Sequence, residues 1–229
     1  MLSWAAAAGI DVPLLELVEV LAIQGLPQEI QNLGGVALAV RRFDRAENNA
    51  RVHIEDLAQV LNRPPREKYG FANYETLARV INASCPAADL DEYIRRLVFI
   101  VLCGNGDAHL KNWSIAYPNR RNPALAPAYD LVCTVAYISD DQLGLNLAGN
   151  KSFDQVNQEA FRRLAIRARI ETDRVLEVVR EQVPRTIEAW EAIRLEASVP
   201  AFVRGTIDKR LDDLTLVDSV KRGGRPVAP

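Results

Sequence analysis

The chain has 229 residues, 48% hydrophobic and 25% charged, which excludes a disordered polypeptide and supplies apolar material for one substantial core with room for a small second lobe. Its 28 Lys plus Arg against 30 Asp plus Glu leave a net charge of −2, so no global basic field points to direct nucleic-acid binding. Apolar runs such as residues 97–103 fall far short of the roughly 18 residues of a membrane span, no signal-like segment follows Met1, and Cys85, Cys103 and Cys133 are odd in number without zinc-like spacing; a cytoplasmic protein free of membranes is expected.

In chain order, residues 4–9 read as the end of a helix, because the alanine run favours helix and Gly9 can stop it. Leu14, Leu17, Val18 and Leu21 recur at helical spacing over 14–23, although the β-branched residues keep a strand open. After Gly34-Gly35, residues 36–40 predict a short buried strand that delivers Arg41-Arg42-Phe43-Asp44-Arg45 to a surface, followed by a loop over 46–50. Ile54, Leu57, Ala58 and Leu61 make one helical face, with His53 at the helix start and Pro64-Pro65 as its end. Helices are predicted over 74–81 and 90–103, the second buried and broken by Gly104-Asn105-Gly106. A strand is predicted over 113–117, a turn over 118–123 and a mostly apolar stretch over 125–137. Amphipathic helices follow over 156–168, 172–182, 186–196 and 200–216, and the Gly- and Pro-rich tail 222–229 is expected to be mobile. The fold class is mainly α with a few short strands.

The chemistry concentrates in Gly104-Asn105-Gly106-Asp107-Ala108-His109-Leu110-Lys111-Asn112, where capable side chains crowd a Gly-rich break between buried elements. Asp107 precedes Asn112 by five residues, the spacing of the base and the magnesium-binding Asn in a kinase catalytic loop. Asp130 follows in Ala126-Pro127-Ala128-Tyr129-Asp130, so that Asn112 and Asp130 offer two hard oxygen ligands for Mg2+. Each has a plainer role too. Asp107 and Asn112 can cap turns, Asp130 a helix; His109 can orient its own loop, and Lys111 can pair with a carboxylate. Arg120-Arg121 and Arg162-Arg163 read as solvated faces, and His53 as structural.

These residues resemble the HipA toxin kinases of bacteria. Val-Arg-Arg-Phe-Asp-Arg at 40–45, His-Ile-Glu-Asp at 53–56, the 104–112 segment, Leu-Ala-Pro-Ala-Tyr-Asp-Leu at 125–131 and Leu-Gly-Leu-Asn-Leu at 143–147 follow that family's order over nearly the whole chain. The resemblance implies a kinase-like C-terminal lobe: 1–45 as a remnant of the N-terminal lobe with its hinge, and 46–221 as the helical catalytic lobe. It implies ATP and Mg2+ as cofactors, Asp107 as catalytic aspartate, Asn112 and Asp130 as metal ligands, and His109 and Lys111 facing the nucleotide. Arg41, Arg42 and Phe43 match the hinge, whose backbone would take the adenine edge; the family often has Glu where Arg41 stands. Implied partners are a HipB-like antitoxin and a protein substrate such as an aminoacyl-tRNA synthetase or another translation component.

Such a kinase also needs a Gly-rich phosphate loop and an upstream Lys. No Lys precedes Lys68, and Gly9, Gly25, Gly34 and Gly35 form no such loop. The expectation is a serine/threonine kinase lobe inactive on its own, its front half encoded upstream, encoded separately or lost. The alternative is a non-enzymatic pseudokinase or relic that binds an antitoxin or another partner.

Overall fold

The computed structural model describes residues 1–46, 48–196 and 198–223, so one residue of the predicted loop and most of the predicted tail lie outside the described residues. The elements are α1 (Leu2–Ala7), β1 (Leu15–Glu19), α2 (Gln28–Gln31), β2 (Val36–Val40), β3 (His53–Asp56), α3 (Leu57–Val60), α4 (Tyr74–Ser84), α5 (Ala87–Cys103), β4 (Ser114–Tyr117), β5 (Ala124–Leu125), α6 (Gln158–Ala168), α7 (Thr172–Ile193), α8 (Ala201–Asp213) and α9 (Thr215–Gly223). The mainly helical class with a few short strands is the one observed.

The centre is α5. From Leu97 to Cys103 every side chain is buried, so these last two turns have no solvent face, and α4, α7 and α8 pack around them. Pro86 precedes its first turn, where a missing N–H costs nothing, and Gly104 ends it at φ 71. α1 docks on the same core. Trp4 is fully buried with its ring 4.8 Å from both Phe99 and Trp190, and its Nε1–H donates to the Thr186 carbonyl at 2.8 Å.

Several expectations are corrected. Residues 14–23 contain a strand rather than a helix: β1 pairs antiparallel with β2 in the register Leu15↔Val40 to Glu19↔Val36, and a 3-10 turn at Val20–Ala22 follows. Pairing across the positive-φ Gly34 and Gly35 outweighs the helical spacing, since both strands are rich in β-branched or long apolar residues. β2 is not buried either, for Val36, Leu38 and Val40 are all more than 40% exposed. The face from Ile54 is split: His53 lies in β3, paired with Tyr117 of β4, and only Leu57–Val60 is helical, started by a capping box between Asp56 and Gln59. Finally, 172–182 and 186–196 are one helix, α7, which runs through Pro184. Proline removes one helical hydrogen bond. Around it Gln182 bonds the Ala8 carbonyl and the Thr186 hydroxyl, both at 3.0 Å, so contacts to α1 hold the helix where it would break. The 200–216 prediction divides at Leu214 into α8 and α9, and α9 takes up the first two residues of the predicted tail.

Cys103 and Cys133 are buried in the core, and both arginine pairs are exposed. No described helix is long and apolar enough to cross a membrane. Trp4→Ala removes the joint between α1, α5 and α7 and should lower unfolding free energy by about 3–5 kcal/mol, as read from the urea midpoint at constant slope.

Candidate active site

The end of α5 creates the site. The Gly104 and Asn105 N–H groups both return to the Ile100 carbonyl, at 3.1 and 3.0 Å, and turn the chain out of the helix. A side chain on Gly104 would stand 2.3 Å from Val135 Cγ2, and one on Gly106 would stand 2.2 Å from Asp141 Oδ2, so the turn is packed too tightly for any Cβ. Buried Asn105 then braces it: its Oδ1 accepts the Asp107 N–H at 3.0 Å and its Nδ2 reaches the Asp130 carbonyl at 3.5 Å. Thr134 accepts the Gly106 N–H at 2.6 Å and gives its hydroxyl to the Gly104 carbonyl at 3.1 Å, with Asp141 on its other side. Below, Gly144 of the Leu-Gly-Leu-Asn-Leu motif lies against the Ala108 backbone, where a Cβ would be 2.9 Å from the carbonyl carbon.

Residues His109–Asn112 form a tight 3-10 turn closed at both ends by side chains. Asn112 Oδ1 accepts the His109 N–H at 3.0 Å, and His109 Nδ1 accepts the Lys111 N–H at 3.3 Å. His109 is buried, and its desolvation, together with nearby Lys68, lowers its pKa; the ring is therefore neutral at physiological pH with Nδ1 as acceptor. Lys111 is exposed, while its carbonyl accepts the Tyr129 hydroxyl at 2.8 Å.

Asn112 meets Asp130 directly, Nδ2 to Oδ2 at 2.5 Å. The pair is a product of the 124–130 strand and loop, which α5 ties down one residue at a time. Asp89 accepts the Leu125 N–H at 2.7 Å, Arg96 donates to the Ala126 carbonyl at 2.6 Å, and the Asp11 carbonyl accepts the Ala128 N–H at 2.8 Å. Arg96 is itself held by Glu92 at 2.8 Å, the same carboxylate that accepts the Asp11 N–H. Asp130 then adopts φ 57, a left-handed backbone that sets it apart from the helix cap its plainer reading allows. Arg96, Asn105, Asn112, Trp113 and Asp130 enclose a small cavity under the pair.

Asp107 stands on the other side of the turn. Its side chain is half exposed, 3.8 Å from His109 Nε2, and it accepts the hydroxyl of Tyr69. Asp107, Gly106, Tyr69, Thr134, Asp141 and Lys151 line an open cleft of about 530 Å3. The hinge candidates lie beside Asp130 rather than over Asp107: Phe43 stacks on Tyr129, ring centroids 5.7 Å apart. Arg41 gives its N–H to the Leu14 carbonyl at 2.8 Å, so that group belongs to the hairpin. Arg42 is turned onto Asp44, whose carboxyl it holds down at about 2. Sequence reasoning missed Tyr69, Arg96, Asn105 and Thr134. Only Asn105 carried a signal, as a buried polar residue between the two glycines.

A helical lobe in which a Gly-rich turn presents an aspartate, and an asparagine five residues later meets a second aspartate, is kinase-like in architecture. The chain belongs to the HipA family: residues 1–190 match the model described as "HipA-like C-terminal domain". Among curated relatives, "Putative kinase Y4dM" of Sinorhizobium fredii is 45% identical over 209 residues, 91% of this chain and 51% of its own length. "Putative kinase" of Haemophilus influenzae is 35% identical over 117 residues, 47% of this chain and 34% of its own. The chain thus spans about half the length of the first of these. Among solved structures, HipA in the Shewanella oneidensis complex of HipA, HipB and operator DNA superposes with a TM-score of 0.75 at 20% identity, over 96% of this chain and 56% of that one. The Helicobacter pylori proinflammatory kinase CtkA gives 0.56 at 13%, over 98% and 80%.

Arg96 carries the tether of the 124–130 loop from a buried position. Arg96→Met should cost about 3 kcal/mol of stability in urea denaturation, because it strands Glu92 and the Ala126 carbonyl together.

Proposed function

We propose that this chain is the catalytic lobe of a HipA-like serine/threonine protein kinase, working with a lobe that carries the Gly-rich loop and Lys. The observation that carries this reading is the contact of Asn112 with Asp130 one turn away from the half-open carboxylate of Asp107. On it, Asp107 orients the acceptor hydroxyl and takes its proton.

The donor chemistry fits Mg2+. Asp130 offers a hard anionic oxygen, and the Asn112 carbonyl, with one lone pair engaged by the His109 N–H, retains another. Two protein oxygens leave the rest of a magnesium shell to nucleotide phosphates and water. Bound there, the ion would neutralise charge on the transferring phosphoryl group. The Arg41–Phe43 backbone and the Phe43–Tyr129 stack would flank the adenine of ATP, with Lys111 toward the phosphates.

The division into lobes is supported by the β1–β2 hairpin. Leu14, Leu17, Leu33, Val36 and Leu38 are each more than half exposed there, an apolar face suited to further strands. The substrate is proposed to be a protein, of which an aminoacyl-tRNA synthetase or another translation component is the family-guided choice. A HipB-like antitoxin is the proposed partner, since the HipA neighbour is complexed with HipB.

The test joins this chain to the unmatched half of the Sinorhizobium relative and measures transfer from ATP to protein. Activity dependent on Mg2+ is expected, and Asp107→Asn should lower turnover about 10²–10⁴-fold. Asp130→Asn should raise the Mg2+ requirement more than the KM for ATP. A folded fusion without transfer sinks the proposal.

A further inference from the structure

Tyr69 is absent from every motif that led to the site, yet its hydroxyl bonds the carboxylate of Asp107. It sits on the segment between α3 and α4, which is strapped to the catalytic turn. The Lys68 carbonyl accepts the Leu110 N–H at 3.2 Å, and the Tyr69 ring meets the His109 ring edge-on at 5.0 Å. Lys68 Nζ stands 4.8 Å from the Tyr69 ring centroid, and Arg63 lies over Phe71 at 3.1 Å, so cations on both sides hold the strap's aromatic residues. The phenol is therefore fixed from its own backbone and from the turn that it touches.

We propose that Tyr69 is the positioning residue of the base: its hydroxyl fixes one oxygen of Asp107 so that the other faces the cleft. This rests on the function proposed above. The geometry leaves room for an acceptor beside the bond, in a cleft that Tyr69 itself also lines. Hydrogen bonding from Tyr69 goes to Oδ1, and with that bond made the Asp107 side chain is still 49% exposed, open on the cleft that also holds Gly106, Thr134 and Asp141. A carboxylate on a turn is free to rotate about its χ angles, and a single directed donor restricts that freedom; the Tyr69 ring, 40% exposed, is itself held by its contacts with His109 and Lys68. Burial and the bond to Asp107 push the Tyr69 phenol up to about 12, so the hydroxyl keeps its proton and remains a donor throughout the physiological range.

Two measurements test this. In the chain itself, the Tyr69 phenol is followed by NMR with labelled tyrosine, assigned by its loss in Tyr69→Phe. Its titration should fall toward 10 in Asp107→Asn, and no change overturns the contact. In the fusion described above, Tyr69→Phe should lower kcat about tenfold while leaving the KM for ATP and the thermal midpoint in place. Equal kcat overturns the positioning role, and a higher kcat shows instead that the phenol occupies the acceptor's place. A wild-type fusion that transfers no phosphate overturns the kinase reading and this inference with it, whereas an active wild type with an indifferent Tyr69→Phe overturns this inference alone.

Discussion

The site depends on how α5 stops. A helix whose last turns have no solvent face cannot fray, and the residue after Cys103 must reverse the chain while remaining in the core. Gly104 meets both demands, in a left-handed conformation with no room for a side chain against Val135. Because the helix is rigid to its last residue, the turn that follows has a fixed starting point and direction. The same helix then fixes the other half of the site through a polar stripe. Asp89, Glu92 and Arg96 lie three and four residues apart on one face and hold successive backbone groups of the 124–130 segment, directly or through Asp11. Asn112 and Asp130 come from segments 18 residues apart, and one helix sets both.

What was legible in the sequence follows from how local each signal is. Glycines, the Asp-to-Asn spacing and the long apolar run were sufficient to place the turn after a buried helix, because each depends on neighbouring residues alone. Helices α4, α5 and α6 came through their periodicity. The β1–β2 hairpin did not, since its apolar residues satisfy helical spacing equally well and only pairing with residues some 20 positions away decides between the two. α7 reads in the sequence as two helices, over 172–182 and 186–196, and contacts from α1 hold it as one through Pro184. Tyr69 and Arg96 were invisible for the same cause. Their partners, Asp107 and Ala126, are 38 and 30 residues distant, and a Tyr after a Lys or an Arg within a helix has no composition that announces such a contact.

The charges around the turn give the lobe its proposed place in phosphoryl transfer. Asp107, Asp130 and Asp141 there are balanced by Lys68, Lys111 and Lys151, while His109 is neutral, so the region is not a strong attractor for a polyphosphate on its own. On the proposed reading a triphosphate brought to it needs a divalent cation at the Asn112–Asp130 pair and further positive charge on its far side. On the proposed reading the two lobes divide these tasks. The lobe seen here supplies the base and the metal's oxygen donors, tethered to one buried helix, and a positioning phenol strapped to the turn that follows it; the exposed hairpin face is where a partner lobe adds the phosphate clamp. A base held rigidly and a clamp added across a separate surface make catalysis depend on how the lobes meet, and that dependence gives a bound protein a means of control without touching either set of residues.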